Sequence, residues 1–140
     1  MATTRKATTT WSGTLLEGSG EVQLQSSGIG TFPVTWASRS NENAEGLTSP
    51  EELIAAAHAS CFSMALSSAL AKQGNPVESM STTAEVDFVP GTGITEIRLA
   101  LSGSAEGLDA AGFAAAAEGA KENCPVSKAL AGVPIKLTIS

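Results

Sequence analysis

The sequence predicts an α+β fold in which helices pack on one face of antiparallel sheet, and three observations carry that prediction. Strand-like segments divided by glycine-rich turns occupy the first quarter of the chain. A 19-residue stretch without a formal charge, 53–71, follows a strong helix start. A hairpin of alternating residues then precedes two helices and a closing strand.

Segments 8–11, 21–25 and 32–36 are rich in Thr, Val, Phe and Trp and are separated by Gly18-Ser19-Gly20 and Gly28-Ile29-Gly30, the punctuation of an antiparallel meander. The polar run 39–46 has too many turn formers and charges for a strand and is expected as a loop able to carry function. Ser49 then offers an N-cap, Pro50 a first helical position, and Glu51 and Glu52 a first turn of acids, with Glu52 three residues past the cap as in a capping box. This helix is expected to reach about Gln73, with Gly74 as C-cap and Lys72 complementing the dipole. Roughly 24 residues at 1.5 Å each span about 36 Å, a long helix for a small domain.

Downstream, Ala84, Val86 and Phe88 share one face of strand 82–89 against Glu85 and Asp87. Pro90-Gly91-Thr92-Gly93 turns the chain, and Ile97, Leu99 and Leu101 alternate with Glu96, Arg98 and Ala100. Asp109 caps an alanine-rich helix to about Glu122, and Pro125 opens a short helical segment through Leu130. Val133, Ile135, Leu137 and Ile139 give the last strand one apolar face.

The 140 residues suit a single domain, 1–140, and 42% hydrophobic against 16% charged residues supply a core and exclude a disordered chain. Eight basic residues scattered through a chain of net charge -6 leave no patch to hold nucleic acid or an anionic membrane. The uncharged helix has the length of a membrane span, but seven Ala and four Ser among 53–71 insert weakly, and a buried spine of a soluble protein is expected instead. With Thr and Trp rather than an apolar run after Arg5 and Lys6, a secretory signal is not expected; the compartment is read as cytoplasmic, where Cys61 and Cys124 stay reduced.

Those two cysteines are the first candidates for chemistry. Cys61 lies inside the long helix, and Cys124 directly precedes Pro125, where the free N–H groups of a new helix can stabilise a thiolate. They stand 63 positions apart, so any bond between them needs a fold that brings their Cα atoms to roughly 4.4–6.8 Å. By composition and position alone Cys61 reads as a small buried hydrophobe. To react it needs a cation from another segment, and Arg39 stands in the expected loop just before the helix. A guanidinium about 4 Å from a thiolate contributes about 4 kcal/mol at an effective dielectric near 20, before desolvation, enough to bring a thiol below neutrality. Glu51 reads first as an acid at a helix N-terminus and second as a carboxylate able to grip Arg39. His58 is the only histidine, which excludes a four-ligand zinc site of Cys and His. Three residues before Cys61, it is read as a hydrogen-bonded core residue, with a Cys–His pair or a three-ligand metal site the weaker alternatives.

Two segments carry a wider resemblance: Ser-Pro-Glu-Glu-Leu-Ile-Ala-Ala-Ala-His-Ala-Ser-Cys-Phe-Ser-Met-Ala-Leu at 49–66 and Glu-Asn-Cys-Pro-Val-Ser at 122–127. Both resemble the OsmC/Ohr family of thiol-dependent hydroperoxidases, the element order agrees over nearly the whole chain, and Arg39 after the third strand is similar to the OsmC branch. The resemblance implies antiparallel sheets around a long central helix in an intertwined homodimer. It also implies a peroxidase of organic hydroperoxides, with hydrogen peroxide a poorer substrate. Cys61 would attack the peroxide and become a sulfenic acid, Cys124 would resolve it as a disulfide, and an external dithiol would reduce that bond. Arg39 would stabilise the thiolate and Glu51 would orient Arg39; no metal or organic cofactor is implied. Leu53, Ile54, Phe62 and Met64 read either as an apolar collar to the site or as core. Two rival readings keep the fold without the enzyme: a protein binding an apolar ligand at the dimer interface, and a structural dimer with inert thiols.

Overall fold

The turn-rich first third of the chain forms β1 (Thr8–Ser12), β2 (Ser19–Gln23) and β3 (Thr31–Val34), paired antiparallel in sequence order in a computed structural model that describes residues Met1–Ser140. Trp11 pairs with Gly20, where a Cβ would meet the indole Cε3 at 2.7 Å, so the ring lies over a residue that has to be glycine. Pro33, which has no N–H to give a ladder, sits in the edge strand β3. A short helix, α1 (Trp36–Ser40), follows. Trp36 and Arg39 are therefore helical, where the sequence reading extends a strand through Trp36 and begins a loop at Arg39. The cause is local: the Thr35 hydroxyl accepts from Ser38 N–H at 3.0 Å while Ser38 Oγ accepts from Thr35 N–H at 3.1 Å, a reciprocal cap that starts a turn. Ser38 Oγ also donates to Thr48 O at 3.1 Å, fastening the far end of the polar loop.

By its internal contacts the chain divides into two units, Met1–Pro50 and Glu51–Ser140. The second holds the main core. Its spine is α2 (Pro50–Lys72), which ends as expected: Gly74 adopts φ +85, its N–H reaches Ala71 O at 3.1 Å, and Asn75 N–H reaches Leu70 O at 2.9 Å. Helical spacing puts Glu51, His58, Phe62, Leu66 and Leu70 on the buried side of α2. The other side, with Ala57, Ser60, Ser67 and Met64, is exposed. By length and composition alone α2 could cross a membrane, yet its Phe62, Leu66 and Leu70 side chains are fully buried within this unit's core.

Hairpin β4 (Val77–Val89) and β5 (Gly93–Ala105) pair antiparallel, and β6 (Ile135–Ile139) adds to β5 in parallel. This sheet is mixed, where the sequence reading has antiparallel sheet. Strand direction follows the connection: α3 (Ala110–Asn123) and α4 (Pro125–Ala129) lie between β5 and β6, and such a helical crossover returns the chain in the same direction. Leu99 and Leu101 of β5, Phe113, Ala117 and Ala120 of α3, and Phe62, Leu66 and Leu70 of α2 form one hydrophobic cluster that also contains Cys124. Asp109 caps α3 as expected, accepting from Gly112 N–H at 2.8 Å.

Candidate active site

Three elements of the second unit converge at the thiols. α2 carries His58 and, almost one turn later, Cys61; Cys124 both closes α3 and opens α4. That double role is built on the backbone, for Cys124 N–H donates to Ala120 O at 2.8 Å while its carbonyl accepts from Lys128 N–H at 3.0 Å. Pro125 makes the handover possible, since it cannot continue α3 with an N–H but suits the first position of α4. The two cysteines are free thiols that meet at one core cluster, Cys124 fully buried within it and Cys61 partly buried against it. The fold thus brings together the pair that sequence spacing leaves far apart.

The two sulfurs have different surroundings. Burial pushes the Cys61 thiol up, a backbone contact from Val126 pulls in the opposite direction, and the bond to Cys124 pushes it further up. Burial also acts on Cys124, but the Ser127 N–H, the Cys61 S–H, the Ser127 hydroxyl and the Val126 N–H together outweigh it and hold this thiol below its ordinary range.

Ser127 has a second partner: its Oγ lies 2.7 Å from His58 Nε2. Both residues are buried, and burial holds the imidazole below its ordinary value and so neutral. His58 Nδ1 has no hydrogen-bond partner. The core role expected for His58 thus holds, but with a specific partner one step from the thiols. Ser127 is the residue that sequence reasoning left without a role, although it ends the segment 122–127; the signal available was a hydroxyl three residues past a cysteine at a helix start.

The remaining candidates lie apart from this cluster in sequence. Glu51 is buried in the first turn of α2, on the same side of the helix as His58. Arg39 belongs to the first unit, in the last turn of α1. Arg98 is occupied on the surface of the second sheet, bonded to Glu85, Asp87 and Glu96 at 2.7–3.2 Å. Of the collar candidates, Phe62 is core and Met64 is exposed. No group of three or more His, Cys, Asp or Glu side chains gathers as a metal site.

Comparison with known proteins gives this arrangement a context. The family described as OsmC-like protein matches residues 42–139. Peroxiredoxin OsmC of Escherichia coli (strain K12) is 40% identical over 129 residues, covering 90% of this chain and 89% of that protein. A crystal structure of an organic hydroperoxide resistance protein OsmC from Legionella pneumophila is similar at TM-score 0.74 and 29% identity, covering 100% of this chain and 98% of that one. An organic hydroperoxide resistance protein from Elizabethkingia anophelis, solved with crystallant-derived thiocyanate bound, is similar at TM-score 0.74 and 26% identity, covering 100% and 99%. With the thiol-bearing segments inside the matched region and the element order shared along the chain, the protein belongs to the OsmC/Ohr family.

Proposed function

We propose that this protein is a cysteine-based peroxidase that reduces organic hydroperoxides, and hydrogen peroxide less well, at the expense of an external dithiol. The observation that carries the reading is the pair of free thiols that α2 and the α3–α4 junction bring to one core cluster, where each acts on the ionisation of the other. The names of relatives, peroxiredoxin and organic hydroperoxide resistance protein, support the same chemistry.

In the first step the Cys61 sulfur attacks the distal peroxide oxygen, the O–O bond breaks, and the alkoxide leaves as alcohol after taking a proton; Cys61 becomes a sulfenic acid. In the second, the Cys124 sulfur attacks the Cys61 sulfur, an S–S bond replaces the S–O bond, and hydroxide leaves as water. The two thiol protons end on the alcohol and the water. A dithiol then exchanges with the disulfide, returning both thiols and leaving oxidised itself. Because burial pushes the Cys61 thiol up, attack needs a cation to draw charge onto that sulfur. Arg39 is assigned that role and Glu51 the role of orienting Arg39, on the resemblance of segments 36–39 and 49–66. The working form is assigned as a cytoplasmic homodimer in which 1–140 acts as one domain.

One equivalent of cumene hydroperoxide should convert the two free thiols of each chain into a Cys61–Cys124 disulfide, mapped by peptide mass spectrometry, and Cys61→Ser should abolish turnover with a dithiol. Thiol counts unchanged after exposure to the hydroperoxide overturn the reading. Arg39→Ala should move the alkylation profile of Cys61 to higher pH and slow peroxide attack; an unaltered profile reassigns the cation.

A further inference from the structure

The peroxidase chemistry needs two sulfurs and a cation, and it leaves a buried His58–Ser127 pair unused. That pair is made by residues 69 positions apart, with Nε2 and Oγ at 2.7 Å, and both side chains are sealed from solvent. Burying an imidazole is costly unless its nitrogens are matched, and here only one of them is. An apolar side chain of similar size would fill the same space without that cost, so stability alone does not account for a histidine at position 58.

The orphaned nitrogen also fixes the direction of the bond. A neutral imidazole has one N–H and one acceptor nitrogen. With the proton on Nδ1, a buried N–H would go unmatched; with the proton on Nε2, only a lone pair does, which interiors tolerate better. In the second case Nε2–H donates to Ser127 Oγ, and the serine proton is left to point elsewhere. Cys124 stands three residues earlier as the N-cap of α4, so its sulfur and the Ser127 hydroxyl are neighbours across the first helical turn.

We infer that His58 and Ser127 are positioning residues for Cys124: Nε2–H donates to Ser127 Oγ, and the Ser127 hydroxyl donates to the Cys124 sulfur, holding it as an aimed and partly charged nucleophile. This rests on the peroxidase reading, in which Cys124 resolves the Cys61 sulfenic acid. The chain acts on the second chemical step and leaves the first alone. The titratable groups acting on the Cys124 sulfur are Cys61 directly and His58 through Ser127. Losing a hydrogen bond to a charged sulfur lowers its thiolate fraction by tenfold or more, while the more basic thiolate left behind is intrinsically more nucleophilic. The net slowing of disulfide closure at neutral pH is about threefold to tenfold.

Three measurements test this. Because the chain has one histidine, a 15N-histidine spectrum of the native protein reads its tautomer without any variant; Nε2–H is expected, and Nδ1–H overturns the inference. In a Cys61→Ser background, Ser127→Ala and His58→Phe should each move the Cys124 alkylation midpoint to higher pH, whereas His58→Gln, which keeps a donor but cannot titrate, should restore it; a midpoint unmoved by Ser127→Ala and His58→Phe overturns the inference. With both cysteines present, the same variants should react with hydroperoxide at the parent rate, close the disulfide about threefold to tenfold more slowly, and accumulate sulfenic acid trapped by a cyclic 1,3-diketone. If the parent protein forms no sulfenic acid or disulfide, the peroxidase reading fails, while the tautomer and alkylation results still decide whether the chain exists.

Discussion

Burial of His58 at 0% exposure makes it a pH-dependent liability as well as a donor. Burial holds its pKa below the ordinary 6.5, so the unfolded chain takes up a proton in a range where the folded chain does not. The stability that neutral His58 provides is present above about 6.5 and declines as pH falls below that value. Asp87, held low by hydrogen bonds from Arg98, and Glu96, held low by Lys136 and then Arg98, behave differently: their contributions persist until pH falls through their ordinary values of 3.8 and 4.5 toward the lower folded values. Urea midpoints should therefore fall between pH 7 and pH 5 in the parent, and His58→Gln should flatten that part of the curve while leaving the decline below pH 4. Parallel curves for the two proteins would show that the imidazole titrates equally in both states.

Among the elements, the most legible were those that carry their own punctuation. The start at Ser49-Pro50 and the stop at Gly74 bound α2, and Asp109 caps α3, because capping chemistry is local. Asp109→Ala should lower stability by about 1 kcal/mol, read by denaturant titration. Phe62→Ala should cost about 3–5 kcal/mol, since Phe62 is fully buried in the cluster shared by α2, β5 and α3. The misread elements depend on partners. β4 begins at Val77, earlier than its alternation indicates, because Ser79, Ser81 and Thr83 take their place from pairing with β5. α1 was hidden because Trp36 prolongs an apolar pattern that the Thr35–Ser38 cap overrides. The direction of β6 is set by the crossover before it, which no residue of β6 encodes. The same applies to the site: each thiol and its helix was visible, and the resemblance paired them, but the sequence has no local mark for the Ser127–His58 contact between α4 and α2.

The protein as a whole leaves apolar surface that one chain does not cover. In the first unit Val22 is the buried hydrophobic residue, while Leu15, Leu16 and Ile29 are exposed at 55%, 75% and 75%. In the second unit the open side of α2 presents Met64 at 71%. Large apolar side chains exposed in this way are what the second copy of the chain proposed above would cover. Sedimentation or light scattering should give the mass of a dimer at micromolar concentration, and Met64→Lys, which places a charge on that side of α2, should shift the equilibrium toward monomer. A monomeric parent protein would remove the homodimer from the reading.

Cys124 belongs to two helices at once, and this has a thermodynamic corollary. Joining it to position 61 would tie the middle of the longest helix to the seam between two others and close a loop spanning 63 positions. Shrinking the freedom of the denatured chain in this way is worth about 4 kcal/mol. Each turnover would then pass through a tauter protein than the one that began it, and the dithiol that resets the cycle must slacken the fold as well as supply electrons.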